Sequence, residues 1–350
     1  MNLPLNTEFN IDTVSFSVKN AFVNLQHLNP TYQHVTRNGE DKYIRSNRTL
    51  IAGANKRHRI AVRYDETNKE LEIEGALYAF LYGQNVYTTS NLKWTCLRVL
   101  EELKNTLGTV ATSDDVKATW KAGHLDLNRV DIAVNFRFKS KSQVHKVLQQ
   151  VALQLNCSKS SIRRVRTSIY WCPEYGKKFQ IVAYAKGPQM QAKNKHDVSE
   201  VNLEYMQLMD DCENVLRIEL RLYRAALKEL GLSQVLDWKI NTPRKIFAQY
   251  FERMHLLNVL SGPLTSADFD SVTDRMKPVI ALLKLGANMD KIYSARTLAR
   301  HRTYFRKKNI DISVPTCEVK AKNLGQLLSS RNRVMLPPNW LTLCKKSRSS

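Results

Sequence analysis

The sequence predicts an α+β protein in two parts. A mostly antiparallel sheet with flanking helices is expected over residues 1–235, and a basic, mainly helical region ending in a disordered tail over residues 236–350. Three observations predict it. Short alternating or β-branched runs recur between helical segments through the first two-thirds of the chain. Near Leu232 the character changes, and the segments beyond it have helical spacing. From Asn241 to the end there are 20 Lys and Arg against 7 acids, so most of the net charge of +22 lies in the last third.

Taken in order, IDTVSFSV (Ile11–Val18), RIAVRYD (Arg59–Asp65) and LEIEGALYAF (Leu71–Phe80) read as strands. The polar stretch YGQNVYTTSN is a loop feeding the amphipathic helix LKWTCLRVLEELKNTL, in which Leu92, Cys96, Leu97 and Leu100 recur at helical spacing. HLDLNRVDIAVNFRF (His124–Phe138) is a strand. SQVHKVLQQVALQLN is a helix carrying Val144, Val147, Leu148, Val151 and Leu155 on one side. The basic segment SKSSIRRVRTS, with Arg163 and Arg164, suits contact with phosphates. TSIYW and KKFQIVAYAK, within Thr167–Lys186, and NVLRIELRLY (Asn214–Tyr223) are strands, separated by the polar excursion QAKNKHDVSEVNLEY.

Beyond residue 235, NTPRKIFAQYFERMHLLNVL and DRMKPVIALLKLG are helical. The densest basic piece, SARTLARHRTYFRKKNIDI, carries Arg300, Arg302, Arg306, Lys307 and Lys308. As a helix it presents either Thr297, His301 and Tyr304 or Ala299, Arg302 and Arg306 on a face, a reasonable DNA-reading element. The tail CKKSRSS is expected to be disordered.

Composition excludes several classes. A hydrophobic content of 43% marks a globular chain, and the charge implies a polyanionic partner, nucleic acid before an anionic membrane surface. No segment approaches 18 uncharged apolar residues, and the N-terminus lacks a basic run followed by an apolar core, so a soluble intracellular protein with no membrane partner is expected. Six cysteines without CxxC or zinc spacing read as reduced thiols. No GxxxxGK[ST] loop, GxSxG elbow or HExxH pair is present, and His124 beside Asp126 is only a weak metal candidate.

The chemistry-bearing residues fall on three strands. RVDIAV sets Arg129 and Asp131 on one face, and VLRIELRLY sets Arg217, Glu219 and Arg221 opposite Leu216, Ile218, Leu220 and Leu222. Side by side, Asp131 and Glu219 would make a hard oxygen site suited to Mg²⁺ or Mn²⁺, with the arginines holding adjacent phosphates. Taken alone, a solvated face of cross-strand ion pairs is the simpler reading. In FQIVAYAKG, Tyr184 and Lys186 are expected on one strand face. A phenol of ordinary pKa near 10 becomes a nucleophile only beside a cation, a metal or a base.

In order along the chain, IDTVSF, LEIEGALYAFLYGQNVYTTSNL, NRVDIAV, TSIYW, FQIVAYAKG and NVLRIELRLYRAALKELGL resemble the rolling-circle replication initiators of filamentous phages, the gene II protein family, and most closely its RstA-type members. The resemblance spans roughly Asn10 to Leu232. It implies an enzyme that nicks the plus-strand origin of double-stranded replicative-form DNA, joins itself to the 5′ phosphate through a tyrosine and rejoins the displaced single strand. The family's VAYxK motif carries its nucleophile over to Tyr184 and its lysine to Lys186. Related metal-binding acids carry over to Asp131 and Glu219, with Glu72 as a possible third ligand. Host replication helicase and polymerase are implied partners, in the bacterial host cytoplasm. The paired histidines of HUH nicking enzymes are absent from this sequence. A non-enzymatic origin-binding or repressor-type protein is the alternative. A tyrosine recombinase fits less well, because its site rests on Arg and His in a helical domain.

Overall fold

A computed structural model describes residues 8–35, 41–53, 58–155, 161–165, 168–172, 178–193, 203–252, 266–284, 287, 289–306, 308, 312, 328 and 333–334. Its strands are β1 (Asn10–Val18), β2 (Ala21–Phe22), β3 (Thr31–Val35), β4 (Asp41–Ser46), β5 (Thr49–Ala52), β6 (Arg59–Asp65), β7 (Glu70–Gly75), β8 (Val110–Ala111), β9 (Asp126–Arg137), β10 (Ser161–Val165), β11 (Ser168–Cys172), β12 (Phe179–Ala185) and β13 (Val215–Tyr223). Ten run in the order β10-β11-β12-β13-β9-β1-β7-β6-β4-β3, and β5 joins beside β6. The pairings between these strands are antiparallel throughout. β2 and β8 form a separate ribbon.

This is the α+β, antiparallel architecture the patterning predicts. One sheet face is apolar: Ile181, Ala183, Ile218, Leu220, Ile132 and Val134 are buried in one core with Val144, Val147 and Val151 of α4 (Lys141–Leu155). The helix α2 (Leu92–Leu107) matches its expected span and buries Leu92, Cys96, Val99 and Leu103 in that core. Cys96 and Cys212 are free and buried.

LEIEGALYAF departs from expectation. It is not one strand: β7 stops at Gly75, and α1 (Leu77–Tyr82) follows, closed by Gly83 at φ 75°. A Cβ at Gly75 would lie 2.8 Å from Ile60, so the glycine lets β6 and β7 meet closely where the chain turns into the helix. Leu77, Ala79, Phe80 and Leu81 are all buried, which gives the short helix its place.

Packing continues past the expected domain limit at residue 235. Trp238, together with Phe247 and Tyr250 of α8 (Thr242–Glu252), belongs to the main core; the Phe247 ring contacts Phe9 and the Tyr250 ring contacts Phe179. A second cluster begins only at Val272 and gathers Val279, Ile280, Leu283, Met289, Leu298, Phe305 and Ile312. The segment 194–202 of the expected polar excursion and the tail from Cys344 lie outside the described residues. Among the described residues no helix is long and apolar enough to cross a membrane.

Candidate active site

The register of three strands builds the site. Tyr184 pairs with Arg217, Val182 with Glu219 and Gln180 with Arg221 across β12 and β13. Arg217 then pairs with Asn135, Glu219 with Ala133 and Arg221 with Asp131 across β13 and β9. Directly paired residues of an antiparallel sheet share a face, so the polar side chains of all three strands collect on the side opposite the apolar core.

That face is not solvated, in contrast to the simpler reading of the sequence. Asp131 is 1%, Glu219 3%, Tyr184 6% and Arg217 0% exposed. The polar loop between α1 and α2 accounts for part of the burial: Arg217 donates to the carbonyl oxygens of Asn85 and Val86. Gln84 holds this loop in shape by accepting from the Val86 and Tyr87 amides at 2.7 and 3.0 Å and donating to the Tyr87 carbonyl.

Within this cover, charges alternate. Arg129 donates twice to Asp131, at 2.8 and 2.6 Å. Arg221 lies 3.5 Å from Asp131 and donates to Glu219 Oε2 at 3.0 Å. The Tyr184 hydroxyl donates to Glu219 Oε1 at 2.5 Å. Arg217 donates to Asn135 at 2.9 Å and to Asp12 at 3.3 Å. Three guanidiniums thus face three carboxylates, which is how so many charges are tolerated out of water.

Burial and the charge of Glu219 hold the Tyr184 phenol well above its ordinary pKa, although Arg217 pulls the other way. The hydroxyl is therefore neutral at pH 7, and any nucleophilic role needs a base to take its proton. Burial also pushes Asp131 up to about 7, against the pull of Arg129 and with a push from Glu219.

Lys186 is not on the strand with Tyr184. It is the first residue of α5 (Lys186–Lys193), because β12 ends at Ala185 and the chain turns at Gly187, where a Cβ would lie 2.9 Å from Glu213 Cα. Its buried ammonium donates to Asn85 at 2.9 Å and Gln189 at 3.0 Å and stands 6.0 Å from the centre of the Tyr184 ring. Proximity to Tyr184 survives, by way of a helix start instead of a strand face.

Other expected residues fall elsewhere. Glu72 on β7 pairs with Ser17 and Arg63, with β1 between it and β9, away from Asp131 and Glu219. His124 contacts Gln234, and Asp126 pairs with Lys19. Arg163 and Arg164 lie on β10, the sheet edge. Arg300, Arg302 and Arg306 lie on α12 (Ala295–Arg306) and Lys308 is exposed just after it, while Lys307 lies outside the described residues. Sequence reasoning missed Asp12, Asn85 and Asn135. Their signal was weak: an acid and two amides inside apolar or loop stretches, united only by contacts 73 to 205 residues apart.

The oxygens that a divalent ion would need are already engaged. Both oxygens of Asp131 accept from Arg129, and those of Glu219 accept from Tyr184 and Arg221. Among the described residues no group of three or more His, Cys, Asp or Glu side chains could hold a metal ion. As arranged, the pair does not fit a pre-formed metal site.

Arg217, expected from the sequence to grip phosphate, is buried and committed to protein acceptors; Arg129 and Arg221 keep partly exposed side chains at the rim. Arg217→Met should cost about 3–5 kcal/mol, because it removes the guanidinium that offsets the buried charge of Asp12 and donates to Asn135. A drop in the urea midpoint of that order checks this, and an unchanged midpoint would contradict it.

The family model for the N-terminal region of the replication-associated gene II protein matches residues 11–241. The replication-associated gene II protein of Enterobacteria phage I2-2 is 22% identical over 260 residues, covering 74% of each chain. No solved structure matches. The match takes in the whole polar cluster, from Asp12 on β1 to Arg221 on β13, and well over half of the chain: the protein belongs to the gene II family of phage rolling-circle replication initiators.

Proposed function

We propose that the chain is the strand-specific nicking and joining enzyme of phage rolling-circle replication, with Tyr184 as nucleophile and Glu219 as its base. The observation that carries this reading is the buried Tyr184 hydroxyl donating to Glu219 Oε1 at 2.5 Å. A phenol and a carboxylate within proton-transfer distance meet the geometric requirement for an activated oxygen nucleophile.

In the forward step Tyr184 Oη attacks the origin phosphorus in line with the departing 3′ oxygen. The Oη–P bond forms and the P–O3′ bond breaks. The phenolic proton passes to Glu219, and the 3′ oxygen takes a proton from water. Arg129 and Arg221 at the rim are positioned to offset charge on the phosphate, which arginine does well through paired donors. The phosphotyrosine keeps the energy of the broken bond, so a later 3′ hydroxyl closes the displaced strand by the reverse step without ATP. Since Tyr184 is nearly covered, DNA entry must uncover it.

The substrates are replicative-form duplex at its origin and the displaced single strand, in the host cytoplasm. Host helicase and polymerase are the partners such a step calls for, one to unwind and the other to extend the 3′ end. Mg²⁺ or Mn²⁺ remains the cofactor implied by the family resemblance. At Asp131 and Glu219 it would have to replace arginine contacts.

Incubation with supercoiled origin DNA tests the reading against a binding-only protein. A nicked circle with protein on its 5′ end is expected; tight binding without cleavage would make the cluster a structural one. The pH dependence is a second check. Below about pH 7 Asp131 becomes protonated and leaves Arg221 to Glu219 alone, so the guanidinium neutralises more of the carboxylate charge that draws the phenolic proton. The single-turnover nicking rate should therefore rise with pH through about 7, and a rate flat from pH 6 to 8 would contradict this coupling. Stability follows the opposite sign. A carboxyl whose folded pKa is raised adds stability below its unfolded value near 4, and that stability is lost as pH rises through about 7.

A further inference from the structure

We propose that α12 reads double-stranded DNA through the face formed by Arg296, Ala299, Arg300 and Thr303, set into the major groove. The open stripe is not the anticipated face of Thr297, His301 and Tyr304, all only partly exposed, and it shares Ala299 with the other anticipated face. Leu298 and Phe305 are buried in the second core. Tyr304 is tied down at its hydroxyl, which accepts from the Thr273 amide at 2.9 Å and lies 3.3 Å from the Thr273 hydroxyl. His301 packs edge-on against Tyr293 at 4.9 Å, and Arg302 is only partly exposed. Among the described side chains of α12, those exposed are Ala295, Arg296, Ala299, Arg300 and Thr303, and four of them recur at i, i+3, i+4 and i+7 as one stripe.

The setting suits a duplex. α10 (Lys277–Lys284) and the short α11 (Met289–Ile292) precede α12, and only Tyr293 and Ser294 separate α11 from it. Ser294 accepts from the Thr297 amide at 3.3 Å, which fixes where the helix begins. Short helix, turn and longer helix on a common core is the order used by helix-turn-helix readers, whose second helix presents its N-terminal half to base edges. Arg296, Ala299 and Arg300 lie in that half.

The twelve residues of α12 contain four arginines and no acid, so the open face complements a polyanion. Two arginines beside a small Ala and Thr allow close approach and bidentate contact with guanine, which makes a base-reading role fit better than diffuse charge. The inference rests on the proposed function only in taking the phage's own duplex as ligand.

The test uses the full chain with Arg296→Ala and Arg300→Ala combined, both at exposed positions. Binding to duplex origin and to unrelated duplex is measured at several salt concentrations, alongside cleavage of a single-stranded origin oligonucleotide. Loss of origin-duplex affinity of about tenfold or more is expected, with a smaller preference for origin over unrelated DNA and single-strand cleavage kept. Unchanged duplex affinity and preference would overturn the proposal, as would loss of single-strand binding alone or an equal loss on both duplexes. The two readings fail separately. Cleavage unaffected by Tyr184→Phe would sink the nucleophile assignment and leave this binding result standing.

Discussion

Tyr184→Phe is expected to abolish origin nicking and the covalent protein–DNA adduct, lowering the cleavage rate by at least about 10⁴-fold, the scale seen when a nucleophile is removed. The substitution deletes one oxygen from a buried ring. The strand pairings of Tyr184 with Ser168 and Arg217 run through the backbone and are unaffected. What is lost is the hydrogen bond to Glu219, which costs about 1–3 kcal/mol when the partner is charged, too little to unfold a chain with this core. Duplex binding should survive, because the open basic face lies on α12 and not in the cluster. Residual adduct near the wild-type level would mean that another group attacks.

Glu219→Gln is expected to slow nicking by about 10²- to 10⁴-fold, the usual contribution of a general base. Glutamine keeps the length and can still accept from the Tyr184 hydroxyl, but it is not basic. This substitution separates two roles that geometry alone leaves together. The negative charge of Glu219 pushes the Tyr184 phenol up, so removing that charge makes the phenol easier to ionise. If Glu219 were only a structural partner, Glu219→Gln would leave the rate unchanged or raise it. A fall therefore identifies proton acceptance, and single-turnover rates on an origin oligonucleotide measure it.

Local pattern carried much of this site. VLRIELRLY alternates so cleanly that β13, its buried leucines and its opposed Arg217, Glu219 and Arg221 were all legible, while its pairing with RVDIAV was only a condition of the reading that the register of β13 and β9 meets. The alternation could not tell whether the charged face met water. That depends on a loop some 130 residues earlier, whose Asn85 and Val86 carbonyls close over Arg217. Asp12 was hidden for the same reason, since one acid in an apolar strand acquires meaning only from its distant guanidinium. Lys186 was misplaced because strand periodicity was carried one residue past Ala185, where the approach of Glu213 to Gly187 turns the chain into α5. On α12 the helical period was right, but it could not choose between faces, because core contacts by Leu298 and Phe305 and the Tyr304 hydroxyl bond to Thr273 decide which side chains face outward.

The central claim, that FQIVAYAKG supplies the attacking oxygen, is tested most directly by locating the covalent bond. The wild-type complex is trapped on a labelled origin oligonucleotide and digested with protease, and the nucleotide-bearing peptide is sequenced by mass spectrometry. Tyr170, on β11 and directly across from Val182, is the internal control, together with Tyr175, which lies outside the described residues. The phosphodiester is expected on Tyr184 alone. Label on Tyr170, on Tyr175 or on any other residue would contradict the claim.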